Sequence, residues 1–147
     1  MKPLRRARSL RRVNDLALKT TIITPYEIEW EGEADYISFR STEGEIGYLP
    51  ERAPALMKLT VDVMEITSGS KTLRFAVHGG YVLQERDSLT IVTDAAETPE
   101  EISVERAKQR LKRAEELLEV SKSRRERARN EAKLQRHMLR IKVGSGR

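Results

Sequence analysis

Hydrophobic residues alternate with polar ones in short runs over the first two thirds of the chain. A period of two is typical of half-buried β-strands. The predicted strands cover residues 20–24, 27–33, 34–40, 61–67, 72–78, 81–84 and 88–93, and turn residues stand at Ser68-Gly69-Ser70, Gly79-Gly80 and Arg86-Asp87. Short strands at regular spacing, with no helical pattern among them, predict an all-β sandwich or barrel that ends near Ala96.

The period changes to that of a helix in the last third of the chain. One helical face is predicted from steps of three and four residues between Val104, Ala107, Leu111, Ala114 and Leu118. A polar break at residues 119–123 precedes a second run, whose apolar members are Ala128, Ala132, Leu134, Met138, Leu139 and Ile141. Small alanines that face a leucine seam, across so short a connection, predict an antiparallel helical hairpin.

A helix-start signature separates the two patterns. Thr98 is a candidate N-cap, Pro99 suits the first helical position and Glu101 is placed to close a capping box. Ser103 is a second candidate cap, and either start gives a helix of about four turns. The sequence therefore predicts an α+β fold, with a basic N-terminal extension over residues 1–18, a β-sandwich over 19–97 and an α-helical hairpin over 98–147.

Charge is segregated along the chain, although the net charge is only +5. Residues 1–12 carry six basic groups and no acidic one, residues 13–101 carry seven and seventeen, and residues 103–147 carry fifteen and six. The protein is thus an acidic body with two basic ends. We expect the first end to be a disordered, solvated extension; an anionic lipid surface, RNA or a wrongly assigned start codon are the alternatives.

Little in the sequence favours an enzyme. The chain has no cysteine, its two histidines, His78 and His137, lie in different modules, and no Gly-rich phosphate loop or nucleophile elbow is present. We expect Gly79-Gly80 to be a turn and His78 to stand at a strand end. No metal ligands, no catalytic residues and no required cofactor are predicted, and no apolar run is long enough to span a membrane.

Basic residues recur at helical spacing in the predicted hairpin. They are Arg106, Arg110 and Arg113 on the first helix, and Arg129, Lys133, Arg136 and Arg140 on the second. Aligned like charges repel, so an acidic protein surface, a nucleic-acid backbone or a nucleotide phosphate would stabilise them; a solvated face relieved by Glu126 and Glu131 is the plainer interpretation. A nucleic-acid-binding adaptor is disfavoured, because all seven aromatic residues precede Ser88 and none is interleaved with these cations.

Several short motifs follow one another in an order that resembles a known family. They are Thr24-Pro25, Glu31-Gly32-Glu33, the run from Glu43 through Pro50 with Ala53-Pro54, Gly79-Gly80-Tyr81, and Asp94-Ala95-Ala96-Glu97 leading to the run from Ile102 to Ala107. From about Lys19 to Val143 the chain is similar to the epsilon subunit of bacterial F-type ATP synthases. The basic extension lies outside the resemblance.

The resemblance implies a non-catalytic rotor subunit of the central stalk. Its expected partners are the gamma subunit, the ring of c subunits, and the alpha and beta subunits, with peripheral attachment at the cytoplasmic face of the bacterial membrane and no nucleic acid. The family's ring-contacting loop corresponds to Glu43 through Pro54, which gives Glu43, Glu45, Tyr48 and Arg52 as candidate contacts. The sequence departs from the family here, because Glu51-Arg52 replaces a common Gly-His.

The resemblance also implies that the hairpin folds on itself or extends into the catalytic head, where it blocks ATP hydrolysis. The second helix would meet an acidic segment of a beta subunit, and the candidate contacts are Arg124, Arg125, Arg129, Lys133 and Arg136. Residues 122–142 carry a surplus of seven positive charges. A charged element with an apolar seam can serve as a two-state switch.

Some members of the family bind ATP in the folded hairpin, through Ile or Leu, then Asp, two variable positions, Arg and Ala. Here the segment begins Ile102-Ser103 and ends Arg106-Ala107, so that Ser103 replaces the aspartate. The other matching positions are Glu97, Arg113, Arg136 and Arg140. Arginine suits phosphate by charge and geometry, whereas Ser103 brings no carboxylate. Regulatory ATP and a structural cap with solvated arginines remain alternatives.

Overall fold

The structure is a computed structural model that describes residues 17–48 and 53–146. The chain divides into two compact units, Met1–Ala96 and Glu97–Arg147. The predicted basic extension lies outside the described residues except for its last two positions, and Leu18 already begins the first strand.

The first unit is a sheet whose strand order differs from the sequence order. Its strands are β1 Leu18–Ile23, β2 Ile28–Ala34, β3 Tyr36–Ser41, β4 Gly44–Tyr48, β5 Ala55–Ser68, β6 Lys71–Gln84 and β7 Ser88–Val92, with the short β8 Ala96–Glu97 at the boundary of the units. The hydrogen-bonded order is β2-β1-β7-β6-β5-β3-β4. Only the pairing of β1 with β7 is parallel among those along this path.

The alternating pattern of the strands produces a single apolar core. Inward positions of β1, β2, β3, β5, β6 and β7 together form a cluster that includes Ile22, Trp30, Met64, Phe75 and Ile91, each at most 3% exposed. Successive side chains of a strand point to opposite faces, so one face of every strand enters this core. The predicted β-sandwich is confirmed.

The predicted turn at Gly79-Gly80 is wrong, because the chain runs through it within the continuous strand β6. Both glycines have positive φ, 76° and 114°, and a Cβ on Gly80 would overlap the carbonyl oxygen of Val92 on β7. Glycine therefore lets the strand bend where another backbone approaches closely. His78, predicted at a strand end, instead lies in mid-strand and is 2% exposed.

The second unit begins with a 3-10 turn, Pro99–Glu101, and continues with helices α1 Val104–Glu119 and α2 Arg124–Gly144. Of the two predicted starts for the first helix, the later one is correct. The hydroxyl of Ser103 accepts a hydrogen bond from the Arg106 amide at 3.3 Å, as an N-cap does. The carboxylate of Glu101 accepts from the Thr98 amide at 3.0 Å and holds the 3-10 turn.

The two helices form the predicted antiparallel hairpin, and Leu134, Leu139 and Ile141 of the predicted α2 residues are buried or half-buried, but its alanines and Met138 are exposed. Ala107 and Ala114 of α1 are buried as expected, whereas Ala128 and Ala132 of α2 are exposed. Leu139 and Val143 are the buried apolar side chains of α2. Half-buried residues at positions 130, 134, 137 and 141 are separated by four, three and four residues, which is the spacing of one helical face. Ala128 and Ala132 lie outside this face.

Gly144 marks where the helices come closest at the base of the hairpin. A Cβ at this position would lie 2.7 Å from Cγ2 of Val104 and 2.9 Å from Cγ2 of Ile102. Real Cβ atoms do not approach so closely, so the missing side chain lets the end of α2 pack against the start of α1. The base of the hairpin therefore depends on a glycine.

Candidate functional site

The base of the hairpin brings together three of the chain's ionisable side chains. Nε of Arg140 donates to Oε1 of Glu97 at 2.8 Å, and the two side chains are 22% and 27% exposed. Nη1 of Arg140 lies 3.3 Å from Nδ1 of His137, where the guanidinium donates and the imidazole nitrogen accepts. The guanidinium is therefore held between a carboxylate and an imidazole that lies one turn earlier on the same helix.

Ile102, Ser103, Arg106 and Ala107 of the candidate nucleotide residues lie around the start of α1, and Arg113 lies two turns further along it. The Ser103 hydroxyl serves as the helix cap, Ile102 is half-buried and Ala107 lies in the seam between the helices. Arg106 and Arg113 are exposed on the outside of α1. Of the predicted set, the structure shows a direct side-chain contact between Glu97 and Arg140.

Arg136 is half-buried, unlike the other candidate contacts for a beta subunit. Asn130 contacts Leu117 and Ser121 at one end of the helix pair, and Gly144 lies against Val104 at the other. This antiparallel register places Arg136 at about the level of Arg113 along the pair. Arg136 therefore lies near the middle of the helix pair, where it is half-buried, unlike the exposed cations nearer the turn.

Four cations of α2 form an exposed surface, which we call the basic face: Arg124, Arg125, Arg129 and Lys133. The nearby acidic residues, Glu126 and Glu131, have partners outside this face. Glu126 accepts a hydrogen bond from the Lys122 amide at 3.2 Å, and Glu131 lies 3.8 Å from Arg127 in an exposed pair. An exposed pair of this kind contributes roughly 0–1 kcal/mol. Because Lys122 and Arg127 are not members of the basic face, these two contacts leave its four charges available for a partner.

The candidate ring contact lies on the hairpin between β3 and β4. The hydroxyl of Ser41 donates to the Gly44 carbonyl at 3.1 Å and accepts from the Glu43 amide at 3.1 Å, which closes the turn. Gly44 has a φ of 128°, a conformation that glycine adopts readily. Glu43 and Glu45 are exposed beside it.

The other two candidates for the ring contact are Tyr48 and Arg52. Tyr48 ends strand β4, but its side chain and the whole of Arg52 lie outside the described residues.

Sequence reasoning missed an apolar surface on the outer side of the sheet. Tyr81 pairs with Val92 across β6 and β7, and Val92 pairs with Ile23 of β1. Leu56 of β5 pairs with Leu83 of β6, two residues beyond Tyr81 on the same side of the strand. We call these five residues the outer apolar patch; Leu56, Tyr81, Val92 and Leu83 are 67%, 51%, 49% and 40% exposed. Only the strand register could have grouped them.

Sequence reasoning also missed a polar cluster where the hairpin turns. Nδ2 of Asn130 donates to Oγ of Ser121 at 2.7 Å and lies 3.4 Å from the carbonyl oxygen of Leu117. The Ser121 hydroxyl itself donates to the same carbonyl at 2.7 Å. The available signal was that Asn130 shares the helical spacing of Leu134 and Ile141.

Within residues 17–48 and 53–146, no group of three or more histidine or acidic side chains is placed to hold a metal ion. Nor does this part of the chain contain a helix with the length and apolar character needed to cross a bilayer.

Family models match nearly all of the described chain. Residues 17–99 match the model described as ATP synthase, Delta/Epsilon chain, beta-sandwich domain, and residues 100–144 match the Delta/Epsilon chain long alpha-helix domain. The boundary between the two models lies close to that between the two compact units.

Two similar proteins are also described as ATP synthase epsilon chains. An ATP synthase epsilon chain of Halalkalibacterium halodurans is 39% identical over 105 residues, which cover 71% of this chain and 79% of that protein. An ATP synthase epsilon chain of Caldanaerobacter subterraneus is 33% identical over 132 residues, covering 89% and 96%.

A solved structure supports the fold. A chain in the Euglena gracilis mitochondrial ATP synthase, in a structure of OSCP, F1 and the c-ring, superposes with a TM-score of 0.74 at 21% identity, over 90% of this chain and 83% of that one.

Proposed function

The chain belongs to the family of ATP synthase epsilon chains, and from that premise we propose that its helical hairpin acts as a brake on ATP hydrolysis. Members of this family are non-catalytic subunits, and this chain is accordingly a subunit of the ATP synthase central stalk rather than an enzyme. The brake is the regulatory part of the proposal. Its support is the basic face of α2.

The first unit is suited to holding the subunit on the rotor. Its outer apolar patch, formed by Ile23, Leu56, Tyr81, Leu83 and Val92, offers a flat sheet surface for the gamma subunit. Clustered exposed apolar side chains mark association surfaces more often than scattered ones do. Glu43 and Glu45 project at the β3–β4 turn and are free to meet the c ring. These contacts would keep the protein at the membrane surface without a membrane span.

The location follows from the same assembly. We place the subunit at the cytoplasmic face of a bacterial membrane, where it is attached through the complex. Membrane fractions that lose this protein when the complex is stripped from the membrane would support peripheral attachment; retention after stripping would contradict it.

The basic face explains how the hairpin could block hydrolysis. Arg124, Arg125, Arg129 and Lys133 carry four positive charges along the exposed side of the first three turns of α2. An acidic segment of a beta subunit would meet them as a group when the hairpin extends. Single exposed ion pairs contribute roughly 0–1 kcal/mol, so an extended state needs several of them together.

Charge reversal tests the brake. Arg129→Glu together with Lys133→Glu should raise the ATPase activity of the assembled complex, because the acidic partner would then be repelled. The matched control is Lys108→Glu with Lys112→Glu, which reverses two exposed cations of α1 instead. Equal activity in the wild type and in the α2 variant would contradict the brake.

Regulatory ATP binding at the hairpin base is a second candidate. It is favoured by the Arg140–Glu97 pair there and by half-buried Arg136 one turn earlier on α2, although Ser103 is already engaged as a helix cap. Calorimetric titration of the protein with MgATP tests it, with Arg140→Ala as the site variant and Arg125→Ala as the control. Saturable binding lost only in the site variant supports the site; the lack of any saturable binding contradicts it.

The nucleic-acid adaptor is the alternative from another class of function. Its test is retention of the protein on RNA as salt is raised, compared with fragments of equal charge. Retention above that of the matched fragments would favour the adaptor. Retention equal to theirs would mean that binding to RNA results from nonspecific charge alone.

A further inference from the structure

We propose that Asn130 and Ser121 form a clasp that keeps the hairpin closed by occupying the carbonyl group through which α1 would otherwise continue. The clasp consists of the contacts of Asn130 Nδ2 with Ser121 Oγ, at 2.7 Å, and with the Leu117 carbonyl oxygen, at 3.4 Å. A third contact, from Ser121 Oγ to the Leu117 carbonyl oxygen at 2.7 Å, completes it.

The Leu117 carbonyl is the centre of the clasp for a geometric reason. In a continuing α-helix it would accept a hydrogen bond from the backbone amide four residues later, that of Ser121. In the hairpin the Ser121 amide instead donates to the Leu118 carbonyl at 3.3 Å. Side chains from the turn and from α2 then satisfy the Leu117 carbonyl. The Ser121 hydroxyl can bond this carbonyl in either state, so the competition is between Asn130 in the closed hairpin and the Ser121 amide in a continuous helix.

No residue of the turn prevents helix continuation. Residues 119–124 contain neither glycine nor proline, and every one of them can adopt a helical backbone at modest cost. The break is instead held by side-chain hydrogen bonds. Besides the clasp, the hydroxyl of Ser123 accepts from the Glu126 amide at 3.1 Å and begins α2. If these bonds were lost, residues 104–144 could form one helix of about 60 Å.

The seam and the clasp both oppose this opening. Ala107, Ala114, Leu139 and Val143 are the fully buried apolar side chains of the seam, and Leu111, Leu118, Leu134 and Ile141 are half-buried there. Two of the four fully buried residues are alanines, which bury little area, so the hydrogen bonds of the clasp add to a modest apolar contribution. Asn130 and Ser121 thus set how often the helix pair opens. Only the consequence for hydrolysis rests on the proposed brake.

A buried thiol measures the opening, because the chain has no cysteine of its own. Ala114→Cys places a thiol at a position that is 3% exposed in the seam. Its reaction rate with a thiol reagent, relative to that of a free thiol, reports the fraction of open hairpin in the full-length protein. Asn130→Ala in this background should raise the rate about fivefold, as expected for the loss of one hydrogen bond.

Three further variants make the result specific. Ser121→Ala should raise the rate similarly, and the double variant Asn130→Ala with Ser121→Ala should raise it by less than the product of the two, because both belong to one cluster. Glu131→Ala, the adjacent exposed position on α2, is the control and should leave the rate unchanged. Equal rates in the wild type and in both clasp variants, or strictly multiplicative effects, would overturn the clasp.

A glycine distinguishes helix continuation from local unfolding. Val120 is 68% exposed and lies in the turn. Val120→Gly disfavours a continuous helix, so it should reverse most of the increase caused by Asn130→Ala. A further increase in the rate would mean that the thiol becomes accessible by unfolding, and would overturn the proposed route.

ATPase activity of the assembled complex separates the clasp from the brake. Asn130→Ala should lower hydrolysis, because the hairpin extends more often. A raised thiol rate with unchanged hydrolysis would establish the clasp and contradict the brake. An unchanged thiol rate, in a complex that charge reversal of the basic face still activates, would contradict the clasp and support the brake.

Discussion

The two units of this protein differ in how much each buries. Among the described residues, the sandwich has a cluster of fifteen buried hydrophobic residues contributed by seven of its strands, β8 included. The hairpin fully buries four apolar side chains, and two of them are alanines. Because burial of apolar area is the main stabilising term in folding, the sheet has one strongly favoured state. The hairpin buries less, so we expect its closed form to be the more readily altered by a partner.

The charges of the two units deepen this contrast. The sandwich carries exposed acids at Glu43 and Glu45 and an outer apolar patch, which suit fixed attachment. The hairpin carries an exposed basic face on α2. We therefore expect a docking unit joined to a regulatory unit.

Removal of the whole hairpin should have the largest effect on regulation. Deleting residues 101–147 should leave a folded sandwich that still assembles, since its core cluster lies entirely before that point. ATPase activity of the complex should rise severalfold because the brake is gone. Circular dichroism of the fragment and the activity of the reconstituted complex are the measurements. Loss of assembly would show that the units are not independent in this sense.

Truncation of the sandwich core should have the largest effect on stability. Phe75 is 1% exposed in the cluster, and Phe75→Ala should lower the free energy of unfolding by about 3–5 kcal/mol. Chemical denaturation, monitored through the single tryptophan, Trp30, measures it. The matched control is Tyr26→Ala, which removes an aromatic ring that is 91% exposed. Similar losses in both variants would contradict the assigned core.

A methyl group at the base of the hairpin should have an intermediate effect. Gly144→Ala places a Cβ 2.7 Å from Cγ2 of Val104, so the helix ends must separate, at a cost of about 1–3 kcal/mol. Hydrogen exchange of α2 amides should accelerate while exchange in the sheet stays unchanged. Ser145→Ala, at the next and exposed position, is the control. Faster exchange in the sheet as well would mean that the units unfold together.

Loss of the α2 cap should have the smallest effect. Ser123→Ala removes the oxygen that accepts from the Glu126 amide and should cost about 1 kcal/mol of hairpin stability. Exchange of the Glu126 amide is the direct measurement, and Lys122→Ala, which keeps its backbone donor, is the control. An unchanged Glu126 amide would show that the cap contributes nothing to the start of α2.

How much of this protein could be predicted depended on whether a feature is local in sequence. Periods of two and of 3.6 residues predicted the sandwich and the hairpin, since each period sets which side chains share a face. The Ser103 cap was also visible, because a cap and its amide lie three residues apart. Gly79-Gly80 misled, since glycines in a turn and glycines in a bent strand look alike until the neighbouring strand β7 is placed.

The candidate site was less predictable, for the same reason. The arginines of α2 were visible as a series at helical spacing, but only the packing separates the exposed Arg129 and Lys133 from the engaged Arg140. The exposed Ala128 and Ala132 show the same limit, because a weakly apolar helix offers more than one possible inner face.

The sequence by itself determined the two-part fold, the opposed charges of its parts and the family resemblance, since these follow from periodicity, composition and short motifs. The tertiary structure alone decided the contacts between residues distant along the chain. These include the Glu97–Arg140 ion pair, the outer apolar patch and the Asn130 clasp across the hairpin turn. Such contacts depend on the register between strands and between helices, and register is set by the packing of the whole unit.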